Sequence, residues 1–272
     1  MAHIVSLGAM TDEFIKLEGV SKTFERDGRA IMALSPTDLT IARKEFVALV
    51  GPSGCGKSTI LNMVSGLLRP TEGRLSYDGR SVNDLNLRVG YMTQKDTLLP
   101  WRTVRDNIGS PLELACHKTP KAERLAKIRQ MIELVGLNGF EMHYPGELSG
   151  GMRRRVALAR MLAYNPETLL MDEPFGALDA QLRLVMHDEI QRIVGIGQKT
   201  VLFVTHDLGE AIALADRVVV FSSRPGHIKA IRTVDLPRPR DVYRIRFSPR
   251  FTELHEDLWD QLKDEVKKGV DA

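Results

Sequence analysis

Apolar residues fall in short unbroken runs, Phe46–Val50, 169–171, 201–204 and 218–221, and Val89–Met92 reads as a further strand. Continuous rather than alternating apolar positions predict strands covered on both faces, as in a parallel sheet between helices. Between the runs the spacing turns helical. Ile60, Leu61, Met63 and Val64 share a face and stop at Gly66, and Val156, Leu158, Ala159 and Leu162 do the same before Asn165-Pro166. This alternation predicts an α/β fold.

The middle of the chain reads differently. Residues 104–148 show no strand pattern, only helix candidates such as 122–135, ended by Gly136, so a helical subdomain is expected beside the sheet at about 100–165. After Leu236 come Pro237, Pro239 and scattered arginines; then Ser248-Pro249, an N-cap followed by a first-turn proline, opens an amphipathic helix to about 266. No apolar run approaches the ~18 residues of a membrane span. Residues 1–10 lack the basic segment and cleavage site of a secretory leader.

Composition narrows the class. The chain has 272 residues, 43% hydrophobic and 27% charged, with a formal charge of +3. That is enough for one large domain or two, and it excludes a disordered chain. So small a net charge gives no electrostatic footprint for nucleic acid. Two cysteines, Cys55 and Cys116, can build neither a disulfide framework nor, without histidine, a zinc site, which fits a reduced cytosolic compartment.

The chemistry begins at Gly51-Pro52-Ser53-Gly54-Cys55-Gly56-Lys57-Ser58-Thr59, which fits G-x-x-x-x-G-K-[ST] between a strand and a helix. The glycines let backbone N–H groups turn inward around phosphate oxygens, and the helix amino end adds positive potential. Lys57 is expected to reach the β- and γ-phosphates and Ser58 to give a hydroxyl to Mg²⁺. Cys55 reads as a small filler. Further on, Asp172-Glu173 ends a buried apolar strand, where two adjacent carboxylates are costly unless a cation or partner offsets them. Asp172 suits a Mg²⁺ shell, and Glu173 can orient and deprotonate an attacking water.

Leu148-Ser149-Gly150-Gly151-Met152, upstream of Asp172-Glu173, resembles the signature motif of ATP-binding-cassette ATPases. Phosphate loop, signature, acidic strand, Ala177-Leu178-Asp179 and His206 follow that family's order, and the resemblance spans about 14–232. It implies a mainly parallel core sheet with an antiparallel β portion and a helical subdomain, an ATPase domain over 14–236, and a short helical tail over 237–272. It also implies roles. Phe24 stands where the family stacks adenine, the lesser alternative being a core phenylalanine on a first strand. Gln94 touches Mg²⁺ and relays the state of a membrane partner, Asp179 lies in the loop that crosses to an opposing subunit, and His206 contacts the γ-phosphate. Lys57, Glu173 and His206 form the catalytic set. The Ser149-Gly150-Gly151 turn opens a helix whose amino end faces ATP bound by a second copy or a related cassette. Met152 departs from the commonest signature, and Arg153-Arg154-Arg155 after it forms either a solvated helix face or a docking surface.

With one phosphate loop and no fused membrane helices, the chain resembles the separate ATPase subunit of a bacterial importer. Leu98-Leu99-Pro100-Trp101 after Gln94, with the Met in the signature, resembles the nitrate, sulfonate and taurine group. Leu98, Leu99 and Trp101 form either a local core cluster or the seat of a short helix of the permease. Expected partners are membrane permease subunits at the cytoplasmic face of the cell membrane and, through them, a solute-binding protein. The alternative reading is a soluble cassette regulator or mechanochemical protein without a transport partner. A simple phosphate-loop kinase has no use for Ser149-Gly150-Gly151.

Overall fold

A computed structural model describes residues 13–26, 28–115, 120–176 and 178–270; residues 1–10, Cys116 and Ala177 lie outside them. The chain opens with strands β1 (Glu13–Arg26), β2 (Arg29–Ala42) and β3 (Phe46–Val50), then helix α1 (Lys57–Val64). Strands β4 (Glu72–Tyr77), β5 (Arg80–Ser81) and β6 (Val89–Met92) follow, then helices α2 (Val104–Ala115), α3 (Lys121–Leu134) and α4 (Gly150–Ala163). The remainder alternates: β7 (Thr168–Asp172), α5 (Ala180–Gly197), β8 (Thr200–Val204), α6 (Leu208–Leu214), β9 (Arg217–Phe221), β10 (Ile228–Thr233) and α7 (Pro249–Val270).

Two sheets result. β2, β1, β4 and β5 form an antiparallel sheet in that order. The other runs β10-β9-β3-β8-β7-β6, parallel from β9 to β6 with β10 antiparallel at one edge. The unbroken apolar runs now have their reason. Along β3, Phe46, Ala48 and Val50 enter one core with the helices, while Val47 and Leu49 enter a second with β1, β4 and α1. β8 divides likewise, Val201 and Phe203 to the first core, Leu202 and Val204 to the second. A strand buried on both faces has no polar position to spare.

Helices α2, α3 and α4 pack on one another beside this sheet. The segment after Leu236 joins the main core: Phe251, Leu254, Leu258 and Leu262 of α7 are buried in it. Ser248 and Pro249 start that helix as expected, with the Ser248 hydroxyl accepting from Phe251 N–H at 3.3 Å. Arg240, 5% exposed, donates to the carbonyls of Ile212, Ala215, Val234 and Leu236, closing the carboxyl end of α6. Among the described residues, no helix is long and apolar enough to cross a membrane.

Candidate functional site

The site is built where β3 runs into α1. Gly54 and Gly56 take φ of 75° and 94°, the left-handed region that side chains resist. A Cβ on Gly56 would also stand 3.0 Å from the Ala33 carbonyl, so this turn accepts only glycine. α1 starts without a side-chain cap and without an acidic residue in its first turn, which leaves its amino-terminal N–H groups for an anion. The Lys57 ammonium is buried under the loop, donating to the Gly51 and Pro52 carbonyls at 2.8 and 2.7 Å, with the Cys55 sulfur at 3.4 Å. Ser53 and Gly54 form the exposed crest, and Cys55 is buried.

Beside the loop, β7 ends in Asp172, 5% exposed. Burial pushes its carboxyl above the ordinary aspartate range and the Glu173 charge adds to this, while a hydrogen bond from Ser58 and the charges of Lys57 and Arg154 oppose it. The two carboxylates are kept apart by backbone conformation. Glu173 takes φ 48°, a strained choice for a residue with a Cβ that turns its side chain out of the strand line. It is pinned by its N–H to the Val204 carbonyl at 2.9 Å and by Arg154, whose guanidinium reaches its carbonyl at 3.2 Å. The Glu173 carboxylate then accepts from the Gln94 side-chain amide at 3.2 Å and lies 3.8 Å from Nδ1 of His206. The His206 side chain, just past β8, is 70% exposed.

Lys57, Ser58, Asp172, Glu173, Gln94 and His206, spread along the sequence, thus meet in one chain of contacts. Phe24, Ser149 and Asp179 do not join it by any hydrogen bond among the described residues. Phe24 is 40% exposed on β1, with the Lys22 ammonium 5.3 Å from its ring centre, so the core alternative for this ring is ruled out. The Ser149 hydroxyl caps α4 through Met152 N–H at 3.2 Å, with Gly150 and Gly151 in the first turn. Asp179 caps α5 through Leu182 N–H at 2.9 Å.

Burial of Arg154 corrects the expectation that the arginine run is a solvated helix face. Arg154 is 7% exposed and donates to the carbonyls of Thr93 (2.7 Å), Gln94 and Glu173. Arg153 pairs with Asp96 at 3.0 Å, and Arg155 holds the Val135 and Gly136 carbonyls at 2.9 and 3.0 Å. Farther along α4, Arg160 grips Thr97. One helix therefore staples the loop carrying Gln94. A signal was present: Arg154 stands four residues before Leu158 and seven before Met161, on the buried stripe of the helix. Other functional candidates had weaker signals. Asn107, fully buried, exchanges hydrogen bonds with Leu99 and caps the turn around it. Glu210, 4% exposed, accepts from Thr205, the residue before His206, at 2.7 Å.

The Leu98–Trp101 cluster divides. Leu98 is a core residue, Leu99 is half-buried, and Trp101 is 71% exposed. Leu99 also lines a groove of about 440 Å³ with Tyr91, Arg102, Leu114, Arg160 and Met161.

The donor set fits Mg²⁺. Ser58 and Asp172 are adjoining oxygen donors, and the Gln94 amide, whose nitrogen is engaged by Glu173, adds a further oxygen beside them. Mg²⁺ characteristically binds through one or two carboxylates and fills its remaining positions largely with phosphate and water oxygens. No group of three or more His, Cys, Asp or Glu among the described residues makes a fuller metal cage.

Comparisons with known proteins agree with this geometry. The model of the ABC transporter family matches residues 34–176. An uncharacterized ABC transporter ATP-binding protein of Methanocaldococcus jannaschii is 47% identical over 94% of each chain. A taurine import ATP-binding protein of Rhizobium johnstonii is 43% identical over 90% of this chain and 94% of its own. A nitrate import ATP-binding protein of Synechococcus elongatus is 41% identical over 90% of this chain, which spans only 38% of that longer protein. Among solved structures, a dimeric ATP-binding cassette in a post-hydrolysis state with ADP and Pi superposes with a TM-score of 0.76. It is 32% identical, covering 82% of this chain and all of its own. The phosphate loop, the acidic strand end and the cassette fold thus have one explanation: the chain belongs to the ABC transporter family, as an ATP-hydrolysing, ATP-binding cassette subunit.

Proposed function

We propose that this cassette drives an importer, working as a face-to-face pair bound to separate membrane permease subunits at the cytoplasmic face of the cell membrane. The ATPase unit spans 14–236, with a helical subdomain at about 100–165 and a short helical tail over 237–272. The observation that carries the reading is the convergence of Gln94, Glu173 and His206 beside the Lys57 loop, with Arg154 tying the Gln94 loop to the Glu173 backbone.

ATP enters with its phosphates on the N–H groups of Gly51–Thr59. Lys57 exchanges two backbone carbonyls for phosphate oxygens, and Phe24 offers an exposed face for the adenine. Ser58, Asp172 and Gln94 would hold Mg²⁺, which when bound neutralises phosphate charge. Glu173 accepts a proton from the attacking water, and Gln94 and His206 fix its carboxylate and face the γ-phosphate. The amino end of α4, from Ser149 through Gly150 and Gly151, together with Asp179, serves the nucleotide of the opposing copy. This reading has support in the dimeric state of the similar solved cassette.

The groove at Leu99 is the proposed permease seat. Arg153, Arg154 and Arg160 bind its loop to α4, so a push on the groove is felt at Gln94 and at the helix that meets the second copy. The solute is proposed to be of the nitrate, sulfonate or taurine kind, on the strength of relatives named for taurine and nitrate import. Glu173→Gln tests the core of the proposal. It should bind ATP normally, accumulate as a nucleotide-bound dimer on gel filtration and release no phosphate; phosphate release at the wild-type rate rules out Glu173 as the base.

A further inference from the structure

The phosphate loop has a back wall. After β9 the chain makes a tight hairpin, 222–227, closed by Ser222 N–H to the His227 carbonyl at 3.0 Å and by the Ser222 hydroxyl to His227 Nδ1 at 2.8 Å. Its Gly226 lies flat on the phosphate loop: a Cβ there would fall 1.8 Å from the Cys55 carbonyl oxygen. Gly226 is also fixed to β2, donating to the Ala33 carbonyl at 3.1 Å and accepting from Ser35 N–H at 2.8 Å. The start of the loop leans on the same segment, since a Cβ on Gly51 would stand 2.9 Å from the Phe221 carbonyl.

The hairpin is held from outside by the carboxyl-terminal helix. Glu265 of α7, 5% exposed, accepts from the Ser223 N–H at 2.9 Å and the Ser223 hydroxyl at 2.8 Å, and pairs with Lys229 at 3.3 Å. A carboxylate buried this far from the reaction is a costly way to fix a surface hairpin. Its position is explained by what the hairpin touches.

We infer that Glu265 is a positioning residue for nucleotide binding, acting through Ser223 and Gly226 to keep the Cys55 carbonyl turned away from the phosphates. The inference rests on the reading of Gly51–Thr59 as the phosphate cradle. A phosphate loop binds with its N–H groups inward, so a carbonyl in the midst of those donors, such as that of Cys55, must be kept outward. Gly226 occupies the space behind the Cys55 carbonyl, and Glu265 sets where Gly226 sits. Loosening the strap lets this peptide rotate and weakens the cradle, while Glu173, Gln94 and His206 stay in place. α7 thereby becomes a handle on ATP affinity that acts through the hairpin rather than through Glu173, Gln94 or His206.

The test is calorimetric titration of Mg-ADP into the full chain, with ATPase kinetics and Tm measured on the same samples. Glu265→Ala should raise Kd and KM about 3- to 10-fold, the share of a charge-assisted hydrogen bond felt at the loop, with kcat within about twofold. The nearly isosteric Glu265→Gln should give a smaller rise of the same kind. Asp257→Asn weakens another α7 tie, to Arg232 at 2.5 Å, and should lower Tm slightly without moving Kd. Wild-type Kd in a folded Glu265 variant overturns the inference, as does an equal rise in Asp257→Asn. Failure of the wild-type chain to bind Mg-ADP would instead refute the cradle reading itself.

Discussion

Arg154→Met removes the guanidinium that ties the Gln94 loop to Glu173 and keeps a similar apolar volume. Hydrogen bonds to charged groups contribute about 1.5–3 kcal/mol each, so the well-aligned contacts to the Thr93 and Glu173 carbonyls stand at about 3–6 kcal/mol gross. Removing the arginine also relieves its desolvation, which burial shows by holding its pKa below the ordinary arginine value. A net loss of about 2–4 kcal/mol in urea unfolding is expected. The catalytic effect has a separate origin. Glu173 sits at φ 48°, a conformation costing about 1–3 kcal/mol that persists only while its surroundings impose it. Release of that strain in the ground state slows single-turnover hydrolysis by about 10- to 100-fold at 1.36 kcal/mol per factor of ten. Nucleotide Kd should shift less than about threefold, because Lys57 and the loop carbonyls have no bond to Arg154. Arg154→Lys keeps the charge without the planar fork and should recover little of the rate. A variant that loses the expected stability yet hydrolyses within twofold of wild type would show that Arg154 does not hold Glu173 in place.

Further outcomes follow from the same contacts. Asp172 titrates above its unfolded value, so the fold binds its proton more readily than the unfolded chain does. This group therefore opposes folding above its folded pKa, and acidification relieves the penalty. Asp172→Asn should then raise the neutral-pH melting temperature, flatten that acid-side gain and lose Mg²⁺-dependent nucleotide affinity; a lower Tm at neutral pH contradicts the sign. Leu99→Asp with Trp101→Ala should leave ATP-driven dimerisation intact and reduce co-purification of the permease in detergent by about tenfold or more, and unchanged recovery rejects the groove as the seat. Arg240→Ala leaves buried carbonyls at the end of α6 without a donor and should cost about 3 kcal/mol in urea unfolding; a change below about 0.5 kcal/mol would show water replacing the guanidinium.

Legibility in the sequence followed burial. β3, β7 and β8 are covered on both faces and stand out as unbroken apolar runs. β1 and β2 are fourteen residues each, bulged and partly exposed, so no simple alternation marks them. α5 carries its buried stripe as Met186, Ile190 and Val194 among polar residues, a signal too thin to set its ends. The phosphate loop was readable as a local string of glycines, a lysine and a hydroxyl. Gln94 and Glu173 are 79 positions apart, and no periodicity predicts that their side chains meet; family resemblance implied a Mg²⁺ role for Gln94 but not this pairing. Arg154 was hidden for the opposite reason. Charge in a basic run reads as solvated, yet helical geometry turns one of three consecutive arginines inward, and there backbone carbonyls receive it.

The order β10-β9-β3-β8-β7-β6 bears on how the protein is made. The strand that delivers the phosphate loop lies between neighbours encoded far downstream; the Lys44 N–H, just before β3, bonds to Thr200 across 156 positions. At about 5–20 residues per second of synthesis, β3 waits roughly 8–30 s for its first parallel neighbour. Until then both its edges are open, and the nascent chain must be sheltered from pairing with another copy of itself. Fragments ending before Thr200 should therefore aggregate rather than yield a half-sized nucleotide binder, although they contain the whole phosphate loop.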